Sequence, residues 1–185
     1  MINEPDEVLY SRFLKEGNSD DLRVLLERYR ESLTLFLYRY MDSMEDAEEI
    51  MLDSFAAAVS GTASFRGSSS FKTWLFAIGR NQAMKQLKKR RLETVPMHEG
   101  LAYDTEEPGM EIFRSEEREK LYKALEEIHP DYREALYLMY FENMSVDEIA
   151  SVMNKNRKQI YNMIQRGRDS LKKTLERMGF DRDNY

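Results

Sequence analysis

Six carboxylates fall within twelve residues and form the densest group of side chains that could do chemistry. They are Asp42, Glu45, Asp46, Glu48, Glu49 and Asp53. Such a cluster could hold a divalent cation or supply the acid and base of a hydrolase. Glu48 and Glu49 are adjacent, however, so their side chains point in different directions, and no His, Lys or loop nucleophile lies near them in the sequence. The absence of cysteine excludes a thiolate site, and two histidines, His98 and His129, disfavour a histidine site. We therefore predict no catalytic residue, metal, cofactor or enzymatic activity.

A second group of residues combines cations with aromatic rings. From Ser54 to Arg91 there are eight Lys and Arg and no Asp or Glu, so this segment carries a charge of +8. The segment also contains Phe65, Phe71, Trp74 and Phe76. Holding an unpaired nucleic-acid strand requires cations for its phosphates and aromatic or small polar groups for its bases. Packing explains part of the same pattern, because Phe71 and Trp74 lie at helical spacing and favour a core position for their buried faces.

The charge of the whole chain hides two basic segments. The 28 Lys and Arg and 34 Asp and Glu give a net charge of −6. From Leu92 to Asp131 four cations face twelve acids, a balance of −8, and from Met153 to Arg177 eight cations face two acids, a balance of +6. Two basic segments separated by an acidic one are typical of a protein that binds a polyanion through two separate surfaces.

Hydrophobic periodicity indicates helices in the first half of the chain. Apolar residues recur at steps of three and four over Asp21–Tyr40, Ala47–Ala58 and Phe71–Leu87, and the Gly- and Ser-rich segment Ser60–Ser70 between the last two predicts a loop. The low content of Gly and Pro, eight and four residues, also favours long helices. The pattern predicts a small helical bundle over residues 1–91.

The second half of the chain is predicted to be another helical bundle. Pro96, Gly100, Pro108 and Gly109 break residues 92–113 into an acidic, flexible linker. Ser145 and Glu148 have the spacing of a capping box, so a helix should begin at Val146, and Asn154–Asn156 should form a turn before a helix over Arg157–Arg177. We predict an all-α fold of two bundles, with a helix-turn-helix in residues 114–178 and a tail over 179–185. A helix-turn-helix places its second helix in the DNA major groove.

The start of the chain and its hydropathy indicate a cytoplasmic protein. No segment approaches the roughly 20 apolar residues needed to cross a bilayer. Glu4, Asp6 and Glu7 replace the basic and apolar start of a secretory signal. We therefore expect no membrane insertion.

Three sequence motifs follow one another along the chain between Asp46 and Arg168. Asp46–Phe55, DAEEIMLDSF, is similar to the D-A-E-D-L-V-Q-E-T-F helix of RNA polymerase sigma factors of the sigma-70 family, extracytoplasmic-function (ECF) group. Phe65–Asn81, FRGSSSFKTWLFAIGRN, resembles the family's F-x-G-x-S-S-F-x-T-W-L-x-x-I-A-R-N. Tyr132–Leu136, Ser145–Ala150 and Arg166–Arg168 are similar to its helix-turn-helix domain. The resemblance covers the chain from about Asp6 to Arg177.

The resemblance implies how the first bundle works. The acidic helix would dock on the coiled-coil clamp helices of the large subunit of core RNA polymerase. The candidates for this docking are Asp46, Glu48, Glu49 and the apolar Met51 and Leu52, which we expect to be exposed; Leu52 replaces the family's usual Gln. The loop Ser64–Ser69 would form the pocket for a base flipped from the minus-ten element, followed by phosphate contacts along the basic helix. The candidates for minus-ten DNA are Ser64, Phe65, Arg66, Ser68, Ser69, Lys72, Trp74, Arg80, Asn81, Lys85, Lys88, Lys89, Arg90 and Arg91.

In the second bundle the resemblance implies recognition of the minus-thirty-five element. The candidates are Asn156, Arg157, Lys158, Gln159, Tyr161, Asn162, Arg166 and Arg168. Arg157, Lys158 and Gln159 would meet base edges at the helix N-terminus. Arg166 and Arg168 would contact phosphates, although ordinary solvation of a helix also explains them. Tyr161 and Met163 replace residues that are usually Lys or Arg, which predicts non-standard recognition.

The expected function is that of a sigma factor that binds core polymerase, recognises promoter DNA and melts it. The resemblance also implies an anti-sigma factor as a partner. One alternative is a helix-turn-helix regulator that acts without core polymerase, which would not need the basic aromatic segment Phe65–Arg91. Another is a protein-interaction module that has lost DNA binding, suggested by Tyr161 and Met163.

Overall fold

The computed structural model describes residues 4–93 and 116–179, with side chains over 4–90 and 120–179. This part of the chain is all-α, as predicted. Its helices are α1 (Asp6–Glu16), α2 (Ser19–Tyr38), α3 (Met44–Val59), α4 (Phe71–Glu93), α5 (Glu116–Glu127), α6 (Pro130–Tyr140), α7 (Val146–Met153) and α8 (Arg157–Arg177). The sequence pattern missed α1, gave the bounds of α2, α3 and α8 and the start of α7 to within three residues, and ended the third helix at Leu87, six residues before α4 ends. The linker predicted over 92–113 lies mostly outside the described residues, as does most of the tail predicted over 179–185.

The chain divides into two compact units, the first of which contains α1 to α4. Its core is filled by large apolar side chains of α2, α3 and α4, including Phe36, Leu37, Phe71 and Phe76. Gly79 lets these three helices approach closely, because a Cβ at this position would lie 3.2 Å from Leu33 and Leu37 and 3.3 Å from Ser54.

Polar side chains begin the helices of the first unit. The side chain of Asn18 accepts a hydrogen bond from the amide of Asp20 at the start of α2. Ser43 Oγ accepts one from the amide of Asp46 at the start of α3. These caps satisfy amides that have no partner within their own helix, and so fix where α2 and α3 begin.

The second unit contains α5, α6, α8 and residues 146–150 of α7. Helix α8 packs against α6 and α5. Gly167 allows close contact with α6, since a Cβ there would lie 3.1 Å from Leu136 Cδ1 and 3.2 Å from Tyr132 Cβ. Ile160 and Ile164 bury the same face of α8.

Two capping boxes define the helix-turn-helix. The predicted box at the start of α7 is present, with Ser145 and Glu148 exchanging hydrogen bonds. Helix α7 ends at Met153 and is capped by Asn154, whose φ of 51° is the left-handed conformation that Asn tolerates. A second box joins Asn156 and Gln159 and begins α8 at Arg157, as expected.

Candidate nucleic-acid interface

The outward face of α3 carries both acids and an apolar side chain. Leu52 is 54% exposed, whereas its neighbour Met51 is 1% exposed and belongs to the core. The prediction that Met51 is exposed for docking is therefore wrong, because the helix turns the two adjacent side chains to different sides. Glu49 is exposed as predicted. Glu45 and Asp53 are exposed on the same face and were missed, although their i, i+4 spacing with Glu49 could have indicated them.

Asp46 is held by a residue of the basic helix. Arg90 Nη2 lies 3.0 Å from Asp46 Oδ2, and Arg90 Nη1 lies 2.5 Å from Asp42 Oδ2. The hydrogen bond from Arg90 lowers the pKa of the Asp46 carboxyl below its ordinary value, and a hydrogen bond from the Ser43 side chain to the carboxyl adds to the effect. In this structure a candidate for polymerase docking and a candidate for phosphate contact therefore neutralise each other.

Glu48 is half-buried beside α2. Its carboxylate lies 3.4 Å from Arg30 Nη2, at a partly exposed ion pair. Such pairs contribute little to stability, so Glu48 can exchange this partner for another at low cost.

The loop of residues 60–70 rests on an aromatic cluster that includes α1. Tyr10 of α1 is buried, and its hydroxyl donates a 2.8 Å hydrogen bond to the carbonyl oxygen of Ala58. The ring centroid of Phe65 lies 5.1 Å from that of Trp74 and 5.8 Å from that of Tyr10. Phe65 and Trp74 are half-buried in this cluster, as the packing interpretation anticipated for Trp74. By contrast, Ser64, Arg66 and Ser68 are exposed on the loop, with Ser69 half-buried.

The first turn of α4 is anchored on two sides. Glu7 of α1 accepts a 2.8 Å hydrogen bond from the amide of Phe71, and Ser70 Oγ accepts one from the amide of Thr73. A carboxylate at a helix N-terminus is favoured by the helix dipole. Glu7 and Tyr10 thus position both ends of the loop, and the sequence pattern, which missed α1, did not identify either.

The cations that were predicted along α4 differ in how far they are exposed. Lys85, Lys88 and Lys89 are exposed, as is Asn81, and Arg80 is half-buried. Lys85 and Lys88 make no ion pair with the residues that the structure describes. Lys72 is half-buried, with its Nζ 5.5 Å from the ring centroid of Phe76. Arg91 belongs to α4, but its side chain lies outside the described residues.

The N-terminus of α8 is fixed by its own side chains. Asn156 Oδ1 accepts from the amide of Gln159, and Gln159 Oε1 accepts from the amide of Asn156, each at 2.9 Å. The Gln159 side-chain oxygen is therefore engaged, while its amide nitrogen can still donate to a base. Lys158 and Asn162 are exposed and pair with no described residue.

Arg157 and Tyr161 are in contact at the exposed N-terminal end of α8. Arg157 Nη1 donates to Asp147 Oδ2 of α7 over 3.1 Å, and the guanidinium carbon lies 5.7 Å from the ring centroid of Tyr161. Tyr161 is 52% exposed. Asp147 was not among the residues predicted for this site.

The two arginines farther along α8 differ in their surroundings. Arg168 Nε donates a 2.8 Å hydrogen bond to the Tyr140 hydroxyl, and its guanidinium lies over the same ring. Arg166 is exposed and has no ion-pair partner in the described part of the chain. Arg166 therefore offers a free cation for phosphate, whereas Arg168 is held against α6.

The described residues contain neither a cluster of metal-binding side chains nor a membrane-spanning helix. Among them, no set of three or more His, Asp or Glu side chains is arranged to hold a metal ion. No helix in the same ranges has the length and apolar character required to span a membrane.

Two family models match the chain, one in each unit. The model of Sigma-70 region 2 matches residues 25–93, and that of Sigma-70, region 4 matches residues 118–171. The first match includes α3, the loop and α4, and the second includes the helix-turn-helix. The chain belongs to the sigma-70 family.

Known sigma factors are similar to the chain over most of their length. The RNA polymerase sigma factor YlaC of Bacillus subtilis is 28% identical over 160 residues, which cover 84% of this chain and 92% of that protein. The ECF RNA polymerase sigma-E factor of Haemophilus influenzae is 26% identical over 183 residues, covering 92% and 95%. The relatives described as ECF sigma factors, among them the Haemophilus influenzae protein, place the chain in the ECF group. It is a sigma factor that directs transcription initiation with core RNA polymerase at promoter DNA.

A solved structure has the same fold. The sigma factor RpoE in complex with the anti-sigma factor NepR, from Bartonella quintana, superposes with a TM-score of 0.64 at 24% identity and covers 84% of this chain and 97% of that one.

Proposed function

We propose that this sigma factor docks on the clamp helices of core polymerase through the outward face of α3. The observation that carries the proposal is the exposed Leu52 among the carboxylates Glu45, Glu49 and Asp53 on one helix face. An apolar side chain ringed by charges supplies both the buried anchor and the polar rim that a protein interface requires. Glu48 lies beside this face and belongs to the proposed docking surface. Asp46 would contribute to docking indirectly, because its carboxylate is paired with Arg90 of α4.

The second part of the proposal concerns melting of the minus-ten element. Phe65 lies at the edge of the aromatic cluster, and its neighbours in the loop, Ser64, Arg66 and Ser68, are exposed. Helix α4, which follows this loop, carries the exposed cations. Small polar groups and an aromatic edge suit an unpaired base, and Lys85, Lys88 and Lys89 suit the phosphates of its strand. Trp74, Arg80 and Asn81 would line the same path.

The third part concerns the minus-thirty-five element. Helix α8 would enter the major groove with its N-terminal residues toward the base edges. Lys158, Asn162 and the amide nitrogen of Gln159 are exposed for this role, and Arg166 is free to contact a phosphate.

We also propose that the protein acts in the cytoplasm, catalyses no reaction itself and is regulated by an anti-sigma factor. The last point is supported by the Bartonella sigma factor of the same fold, which was solved with such a partner. A protein that binds the free chain and prevents its assembly with core polymerase would establish the regulation.

Docking can be tested with two matched triple variants of the full chain. Glu45→Lys, Glu49→Lys and Leu52→Asp together change the outward face of α3. Glu16→Lys, Glu31→Lys and Leu14→Asp make the same three chemical changes at exposed positions of α1 and α2. Only the α3 triple should fail to co-purify with core polymerase, and equal retention of both triples would show that α3 is not the docking helix.

A further inference from the structure

At the exposed N-terminal turn of α8, Arg157 differs from the adjacent Lys158 in having two neighbours that hold its side chain. Arg157 forms an exposed ion pair with Asp147, 3.1 Å from Nη1, and its guanidinium also lies against the Tyr161 ring, so two contacts together restrict this side chain. A long side chain normally loses rotamer freedom on binding, but a guanidinium already held by two neighbours loses less. Arg157 is therefore preorganised, while Lys158, beside it, has no described partner.

The ion pair leaves most of the guanidinium available. Arg has five N–H donors in a planar fork, and the bond to Asp147 uses one of them. Two of the remaining donors can form the bidentate pair with O6 and N7 of a guanine, which is the commonest specific contact in the major groove. A phosphate can also accept two bonds from the fork, so changes to atoms of the base are needed to distinguish the two contacts.

Tyr161 adds a second, apolar contact one turn along the helix. Its ring is 52% exposed on the same side as Arg157, in a helix whose exposed neighbours are polar. In the major groove the apolar group of a base pair is the thymine methyl. The Tyr161 ring lies beside the Arg157 guanidinium. If Arg157 binds a guanine, Tyr161 would therefore contact the neighbouring base.

We propose that Arg157 and Tyr161 act as one unit that reads a guanine and a neighbouring thymine in the minus-thirty-five element, with Asp147 as the positioning residue. This inference rests on the proposed role of α8 in the major groove. It assigns base identities to two side chains and gives Asp147 of α7 a role in specificity.

The first experiment selects preferred sequences with the assembled holoenzyme. The full chain and core polymerase are incubated with promoter fragments randomised across the minus-thirty-five region, and bound fragments are sequenced. We expect the parent to enrich a guanine next to a thymine. Arg157→Ala should lose the guanine preference. Arg157→Lys and Asp147→Asn should weaken it, since the first lacks the planar fork of Arg and the second loses the charge that orients the fork. Tyr161→Ala should lose the thymine preference alone. Lys172→Ala, which removes one exposed cation from the same helix, should keep both preferences.

The second experiment changes single atoms of the selected DNA. Replacing the guanine by 7-deazaguanine removes N7, and replacing the thymine by deoxyuridine removes the methyl group. The first change removes one of the two acceptors, so it should weaken binding by the parent by less than the roughly 5- to 150-fold of a complete bidentate pair, and it should leave Arg157→Ala unaffected. The second should weaken it about fourfold, as expected for one buried methyl, and leave Tyr161→Ala unaffected.

The outcomes separate this inference from the function on which it rests. If the holoenzyme selects a defined minus-thirty-five sequence and the variants keep the parental preference at every position, the inference is wrong and the proposed role of α8 stands. A uniform loss of affinity in Arg157→Ala, with no change at 7-deazaguanine, would make Arg157 a phosphate contact and also overturn it. Absence of any selected sequence would overturn both. Thermal unfolding of each variant shows whether the helix-turn-helix is intact, and Arg157→Lys keeps the charge where Arg157→Ala does not.

Discussion

Leu52 and Met51 are adjacent in sequence but have opposite environments, and this makes them a matched pair for testing the docking surface. Met51→Ala removes a fully buried side chain and should lower the free energy of unfolding by about 2–5 kcal/mol. Leu52→Asp changes an exposed position and should alter it by less than about 0.5 kcal/mol. Retention on immobilised core polymerase should show the reverse order, with Leu52→Asp the weaker binder. A folded Leu52→Asp variant that is retained like the parent would exclude Leu52 from the interface.

The ion pair between Asp46 and Arg90 predicts how the stability of the fold depends on pH. Since Arg90 lowers the pKa of Asp46 in the folded chain, the ion pair stabilises the fold above the ordinary Asp value of about 4. This stabilisation is lost as the pH falls through the lowered pKa. The difference in free energy of unfolding between the parent and Asp46→Asn should therefore be constant near neutral pH and shrink below about pH 4.

Urea denaturation at a series of pH values measures this difference. Asp53→Asn removes a carboxylate from an exposed position of the same helix and serves as the control. A difference between parent and Asp46→Asn that stays constant down to the acid transition would show that the pair with Arg90 does not stabilise the fold in solution.

Some residue environments were predictable from the sequence and others were not. The caps at Ser145 and Asn154 depend on neighbours within a few residues, so residue type and spacing were sufficient. The pair of Arg90 with Asp46 joins residues 44 positions apart, and only the packing of α3 against α4 brings them together. Met51 was misjudged because the family motif made it a docking candidate, although its spacing of four from Ala47 and of three from Ser54 places it in the apolar stripe of α3.

At the scale of elements, α1 holds the loop of residues 60–70, which we propose takes part in promoter melting. Tyr10→Leu keeps an apolar side chain but removes the hydrogen bond to Ala58, and Glu7→Gln weakens the cap on α4. We expect both variants to form closed complexes with near-parental affinity and to open the promoter more slowly, because the loop is held less firmly. Permanganate reactivity of unpaired thymines over time measures the opening.

A comparison of loop and support variants completes this test. Ser68→Ala and Ser69→Ala change exposed or half-exposed loop residues directly and should also slow opening. If loop variants slow opening and the α1 variants open promoters at the parental rate, α1 has no part in positioning the loop.

The start of α8 gives a prediction about stability as distinct from specificity. Asn156→Ala removes the N-cap and should cost about 1 kcal/mol of stability. Promoter affinity should fall alike for all minus-thirty-five sequences, since a frayed helix presents every base contact less well. Lys158→Ala should instead change which bases are preferred, as determined by binding to a panel of single-base variants. A changed base preference in Asn156→Ala would make Asn156 a direct base contact.

The extents of the elements were largely predictable, with one informative exception. Helices α2 to α8 carry strong apolar periodicity, caps or turn residues, and so their positions could be inferred. Helix α1 begins with acids and contributes Leu9 and Tyr10 as its buried side chains, which is too short a pattern to identify without its packing partners. The function of α1 therefore became visible only through the contacts of Tyr10 and Glu7.

For the whole molecule, we expect the free chain to bind promoter DNA weakly. Its net charge is −6, and each unit alone offers a limited basic surface, so the affinity should resemble non-specific binding, with a Kd of about 10⁻⁴–10⁻⁶ M at physiological salt. Core polymerase should raise the affinity by engaging both units at once. Filter binding with and without core measures the difference. Nanomolar binding by the free chain at physiological salt would favour a helix-turn-helix regulator that acts without polymerase.

Transcription itself tests the central claim most directly. Core polymerase is incubated with a library of genomic fragments, with and without the full chain, and the run-off transcripts are sequenced. We predict discrete start sites that appear only with the chain, downstream of a shared pair of minus-thirty-five and minus-ten elements, and that are lost with the α3 triple variant and retained with the α1 and α2 triple. The same set of transcripts with and without the chain would contradict the assignment as a promoter-directing sigma factor.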